Sequence, residues 1–153
     1  MDLEDGVVSD ILRISSCHPN LVQYMCDRLI HQISSRHVRR ISLEDLRIVT
    51  TRRDFYEYFI KTVWGDATPL EKMITLCTLN GYYFTKQQIY AILKKYSLQD
   101  RQAIEEALET LELYRFFTRG RKMYHYTWSE FPRIVREIVN LEDMVKGLLE
   151  QTK

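Results

Sequence analysis

The chain has 153 residues, 45% of them hydrophobic and 28% charged, a balance that supports one folded core or two small ones and argues against disorder. Its formal charge of +1 provides no global field to draw the molecule onto nucleic acid or an anionic membrane, so any such binding must come from a local patch. Cys17, Cys26 and Cys77 are an odd count with no close C-x-x-C pair, which suggests neither a disulfide framework nor a zinc knuckle and fits a reducing cytosol. The opening residues MDLEDGVVSD lack a basic start and a long apolar run. No apolar stretch approaches the roughly 20 residues that span a bilayer, so a cytoplasmic protein is expected, neither secreted nor membrane-inserted.

Val7, Val8, Ile11, Leu12 and Ile14 recur at helical spacing and predict a short first helix, broken by Ser15-Ser16-Cys17-His18. Pro19 suits the first position of a second helix, where its missing N–H costs nothing, and Val22, Met25, Cys26, Leu29 and Ile33 follow on one face until Ser34 and Ser35 loosen the end. Ser42-Leu43-Glu44-Asp45 reads as a capping box, because Ser42 can accept a free N–H while Asp45 reaches back. Phe55, Tyr58, Phe59, Thr62 and Val63 predict a further helix running into a turn at Trp64-Gly65-Asp66, and a boundary is expected near Asp66.

Thr68-Pro69-Leu70-Glu71 is a second capping box, and its helix is expected to bury Leu70, Met73, Ile74 and Cys77 before stopping at Asn80-Gly81. Tyr82, Tyr83 and Phe84 form a short extended bridge. Thr85-Lys86-Gln87-Gln88 then caps a helix carrying Ile89, Ile92, Leu93 and Tyr96, and a third helix from about Gln99 to Leu113 turns Ala103, Ile104, Ala107, Leu108 and Leu111 inward. Residues 115–118 and 123–127 read as strands joined by Arg119-Gly120-Arg121-Lys122, with Gly120 supplying a left-handed turn residue. Tyr114, Phe116, Phe117 and Tyr126 are expected mostly in the core, with interface the alternative for some of them, since aromatic residues concentrate where domains dock. Phe131, Ile134, Ile138, Leu141, Val145 and Leu148 step by threes and fours and predict a C-terminal helix lying across the preceding domain, favoured over a coiled-coil dimer because the pattern spans under three heptads. The expected fold is mainly α: a helical bundle over residues 1–66, a winged helix-turn-helix domain with a small β-hairpin wing over 67–128, and a helix over 129–153.

The chemistry-bearing patterns are sparse. Gly6, Gly65, Gly81, Gly120 and Gly147 are scattered singly, so no Walker A loop is present to cradle phosphates. His18, His31, His37 and His125 share no ligand spacing with the cysteines, the Cys26/His31 pair included, and no metal site is expected. No serine or carboxylate pair has a nucleophile or acid/base context, so catalysis by this chain alone is not expected. A DNA-binding winged-helix regulator is the alternative. Arg115, Arg119, Arg121 and Lys122 on the wing could contact phosphates, with Lys86, Lys94 and Lys95 adding to the patch. The helix that would enter the major groove opposes this, because Asp100, Glu105, Glu106, Glu109 and Glu112 face only Arg101, and Gln99 and Gln102 do not compensate.

The string Ser15-Ser16-Cys17-His18-Pro19-Asn20-Leu21-Val22-Gln23-Tyr24-Met25-Cys26 resembles the helical lid of STAND and archaeal-type AAA-like ATPases, where a Gly-His-Pro or Gly-x-Pro turn opens a helix. The later Ile41-Ser42-Leu43-Glu44-Asp45-Leu46, the aromatic connecting helix and the winged-helix start at Thr68-Pro69-Leu70-Glu71 continue the likeness, which spans roughly residues 5–135. The resemblance implies an upstream P-loop domain that holds ATP or ADP, with this chain as the regulatory lid and winged helix of a signalling ATPase. It also implies that His18 and Pro19 approach the nucleotide, while Cys17 stands where these families keep glycine. His125 loosely resembles a histidine that immune-type relatives place against ADP, although Tyr124 and Tyr126 do not match their pattern. Expected partners are the upstream domain and other proteins, with no cofactor held by this chain alone.

Overall fold

The computed structural model describes residues 2–36 and 39–152, and the chain separates into two compact units, one ending at Thr62 and the other beginning at Val63. It is mainly helical, with nine helices among the described residues and a small antiparallel three-stranded sheet in the second unit.

The first unit contains β1 (Asp2–Leu3), α1 (Val7–Ser15), α2 (Pro19–Arg36), β2 (Arg40–Ile41), α3 (Leu43–Thr50) and all but the end of α4 (Arg53–Trp64). Strands β1 and β2 run parallel, with Asp2 opposite Arg40 and Leu3 opposite Ile41. Two-residue strands carry no alternation, which is why the sequence pattern did not announce them. In α1 Val7, Ile11, Ile14 and Ser15 face inward, whereas the expected core residues Val8 and Leu12 are 52% and 41% exposed; a nine-residue helix turns a narrow stripe to its neighbours. Helix α2 buries Leu21, Met25, Leu29 and Ile33, leaving Val22 and Cys26 half-buried. It also runs through Ser34 and Ser35 to Arg36, because a serine hydroxyl can be satisfied on the helix itself, as Ser35 Oγ is by donating to Gln32 O at 2.7 Å. At α3 the capping box is complete: Asp45 N donates to Ser42 Oγ at 3.1 Å and Ser42 N to Asp45 Oδ2 at 3.0 Å. Phe55 and Phe59 of α4 are buried, and Tyr58 stacks on Tyr24 with ring centroids 4.3 Å apart.

The second unit runs α5 (Pro69–Thr78), β3 (Tyr83–Phe84), α6 (Lys86–Lys94), α7 (Arg101–Leu113), β4 (Phe117–Arg119), β5 (Tyr124–Tyr126), α8 (Phe131–Ile138) and α9 (Leu141–Gln151). The sheet order is β3-β5-β4, antiparallel throughout. Capping boxes start α5 (Thr68 with Glu71) and α6 (Thr85 with Gln88), and Asp100 caps α7. Phe84, Phe116, Phe117, Tyr126 and Phe131 pack edge to face and stacked in an aromatic core. The buried Tyr126 hydroxyl donates to Thr75 O and bonds Thr78 Oγ1, both at 2.6 Å, and Trp64 Nε1 donates to Thr75 Oγ1 at 3.0 Å.

Four expectations are corrected in this unit. The wing strands begin later than residue 115, since Arg115 lies outside β4 in the left-handed region at φ 54°. Gly120 is not left-handed; the turn is closed by Gly120 N donating to Met123 O at 2.8 Å. Tyr114 is 75% exposed, and Leu70 and Cys77 are only half-buried. The C-terminal segment is two helices, because Val139 is extended and Asn140 caps α9 by accepting from Asp143 N at 3.4 Å. The apolar spacing carries across the break and concealed it; α9 packs back against α5. No helix among the described residues is long and apolar enough to cross a membrane.

Candidate functional site

Three places in the fold gather polar chemistry. The first is the turn between α1 and α2. Ser16 and Cys17 both lie in the left-handed region, at φ 46° and 62°, a conformation that costs residues with a Cβ and suits glycine. Cys17 N donates to Leu12 O at 3.0 Å and His18 N to Ser15 O at 2.8 Å, closing the end of α1. His18 O accepts from Val22 N at 3.0 Å, so His18 supplies the first carbonyl of α2. Pro19 follows as its first residue, exposed, while His18 is half-buried and Cys17 exposed.

The second is a cleft of about 380 Å³ between α2, α3 and the start of α4, lined by Tyr24, Arg28, His31, Arg36, Arg52 and Asp54 among others. Asp54 lies 3.0 Å from Arg52 and 3.6 Å from Arg28, and Arg36 lies 2.9 Å from Asp45. Burial pushes the Asp54 carboxyl up, but the hydrogen bond and charge of Arg52 and the charge of Arg28 outweigh it and hold the pKa below the usual value. The Arg28 guanidinium also sits 5.0 Å above the Tyr24 ring. These charges come from three helices and the turn before α4, so no single local motif in the sequence marks them.

The third is a groove of about 350 Å³ between the start of α6 and the β4–β5 turn, lined by Thr85, Lys86, Gln87, Arg119, Arg121 and Lys122 over Tyr124. Glu105 of α7 accepts from both Lys86 and Tyr90. The Lys86 bond, then the Tyr90 bond, lower the Glu105 carboxyl; the same contact raises Lys86, while burial first and Glu105 second push Tyr90 up to about 12. Of the predicted wing contacts, Arg119, Arg121 and Lys122 come together here with Lys86. Arg115 is exposed but does not line the groove. Lys94 lies at the far end of α6, about 12 Å from Lys86 at the helical rise. On α7, Glu106 and Glu109 are exposed and Gln102 donates to Glu106 at 2.9 Å, so this helix presents acid to solvent.

On the sheet face opposite Tyr124 lies a group that the motif analysis did not assemble. Tyr83 pairs with His125, and His125 with Thr118, across the sheet. Tyr82 and Tyr83 are 56% and 57% exposed, and their rings lie 6.2 and 5.8 Å from that of His125. The consecutive aromatics at residues 82–84 were the available signal. His37 lies outside the described residues; among the described ones, no group of three or more His, Cys, Asp and Glu is placed to hold a metal.

What these observations define is a mainly helical chain whose second unit carries a small antiparallel sheet beside a basic groove. Comparison with protein-family models, with curated proteins and with solved structures finds no match in any of the three.

Proposed function

We propose that this chain is the helical lid and winged helix of a multidomain signalling ATPase, a regulatory module that works through protein contacts and performs no catalysis alone. The observation that carries the reading is the order and pairing of the second unit: helix, short strand, two helices and a hairpin whose second strand pairs with the short strand. The left-handed backbone at Cys17 supports it independently, because the lid turn that the sequence resembles keeps glycine there and this conformation is the physical reason for one. On this reading an upstream P-loop domain holds ATP or ADP, His18 and Pro19 approach the nucleotide, and the nucleotide state biases one arrangement of the module over another.

The test is twofold. The coding region upstream should contain a Walker A loop on a strand-to-helix pattern, and in the protein carrying that domain His18→Ala and Pro19→Ala should each weaken ADP binding several-fold by calorimetry. The chain alone should neither hydrolyse ATP nor bind ADP tightly. An in-frame stop directly upstream, or turnover by the chain alone that a point mutation within it abolishes, would overturn the proposal. The basic groove favours a second reading, a duplex-DNA regulator, which the acidic surface of α7 opposes.

A further inference from the structure

We propose that the cleft between α2, α3 and the start of α4 binds a phosphate monoester, with Arg28 and Arg52 gripping the phosphate and Arg36 adding a third cation in the same cleft. This inference concerns the first unit alone and does not depend on the lid reading. Arg28 is about 13.5 Å along α2 from Pro19 at the helical rise, away from the turn proposed to meet a nucleotide.

One wall of the cleft is a single helix face. Tyr24, Arg28, Gln32 and Arg36 recur at every fourth residue of α2 and so share that face, while Arg52 enters from the turn before α4. Three guanidiniums line the cleft and only one carboxylate, that of Asp54. Asp45, which takes Arg36 at 2.9 Å, is buried outside the lining and already accepts from Ser42 and Gln32. Positive charge is therefore in excess within a concavity, where the surrounding protein focuses its field.

Arg28 and Arg52 are positioned before any ligand arrives. Asp54 lies between them, 3.0 Å from Arg52 and 3.6 Å from Arg28. The Tyr24 ring supports the Arg28 guanidinium at 5.0 Å and is itself stacked on Tyr58. A separation of 3.6 Å is too long for a hydrogen bond, so Asp54 attracts the Arg28 fork without occupying its N–H groups. A carboxylate offers two oxygens in one plane. A phosphate monoester offers three around phosphorus and roughly two charges, so it can accept from two forks that approach from different elements. A cleft of about 380 Å³ suits a ligand group of small-molecule size and is too narrow for a nucleic-acid duplex.

The test is a nitrogen-edited NMR titration of the full chain at about 150 mM salt, where a diffuse surface field is screened. The probes are inorganic phosphate, phenyl phosphate, benzoate, and a short peptide with and without one phosphotyrosine. The three phosphate-bearing probes should shift the side-chain Nε–H signals of Arg28 and Arg52 saturably, and benzoate and the unphosphorylated peptide should not. A phosphopeptide that binds more tightly than phenyl phosphate would place the phosphate on a protein partner; equal affinities would place it on a small molecule. Arg28→Lys with Arg52→Lys keeps both charges but loses the forks, and should weaken phenyl phosphate binding about tenfold. Arg47→Lys with Arg53→Lys, at exposed positions outside the cleft, should leave it unchanged. Circular dichroism verifies the fold of each variant. No saturable shift at Arg28 and Arg52 in the unaltered chain, benzoate binding equal to that of phenyl phosphate, or equal losses in the two lysine pairs would overturn the proposal.

Discussion

Cys17 is the residue where backbone and side chain disagree most openly. Its φ of 62° places a Cβ in the left-handed region, which costs about 1–2 kcal/mol for residues other than glycine. The exposed side chain repays little of this, since Sγ reaches Leu12 O only at 4.0 Å. Cys17→Gly should therefore stabilise the chain by about 0.5–1 kcal/mol after the extra entropy of an unfolded glycine is subtracted, and Cys17→Val should destabilise it; urea midpoints measure both. An unchanged midpoint for the glycine variant would mean that the turn relaxes without strain. A second residue-scale expectation concerns alkali. Burial pushes the Cys77 thiol up to about 11 and Tyr90 up to about 12, and it raises Tyr126 as well. Each group keeps its proton longer in the fold than in the unfolded chain, so its contribution is fully present below the ordinary values of 9.0 for Cys and 10.0 for Tyr. It is lost as pH climbs from there through the folded values. Urea midpoints should be level from pH 7 to about 9 and fall beyond it, and a midpoint that rises between pH 9 and 11 would contradict the burial of these groups.

At the scale of elements, the helix starts were legible and the helix interruptions were less so. Ser42, Thr68 and Thr85 announce their helices because a capping box is a local contract between residues three apart. The break at Asn140 was hidden because apolar spacing tells which face is buried, not whether the backbone is continuous beneath it. Val8 and Leu12 misled for the opposite reason, since their spacing is helical but neighbouring elements cover only part of the stripe. Asp45 shows how a cap becomes tertiary. Its carboxylate takes Ser42 N and Oγ, and also Gln32 Nε2 at 3.0 Å and Arg36 at 2.9 Å from α2. Burial pushes the Asp45 pKa up, but the Ser42 and Gln32 hydrogen bonds and the Arg36 charge hold it below the usual value; its contribution is present above about pH 4 and fades as pH falls below that. Asp45→Ala should cost about 2–3 kcal/mol because it strands donors from two helices, whereas Ser42→Ala should cost about 1 kcal/mol. Chemical denaturation at pH 7 distinguishes them, and equal losses would reduce Asp45 to an ordinary cap.

For the whole molecule, a formal charge of +1 conceals a sharp separation within the second unit. The cations of the β4–β5 turn and the carboxylates of α7 were both visible in the sequence. Their relation was not, because the Lys86–Glu105 pair and the place of Arg119 over Tyr124 depend on helix packing and strand register. That separation bears directly on the duplex-DNA reading. A duplex presented to α7 meets Glu106, Glu109 and Glu112, and each carboxylate near a phosphate opposes the counterion release that drives binding. Replacing all three by glutamine keeps helix propensity and side-chain length while removing three negative charges. Glu106 and Glu109 are exposed and Glu112 is half-buried, so stability should hold within about 1 kcal/mol. Duplex affinity at 50 mM salt should rise at least tenfold with a steeper salt dependence. No gain for duplex would mean that the shape of the α7 surface, not its charge, excludes the groove.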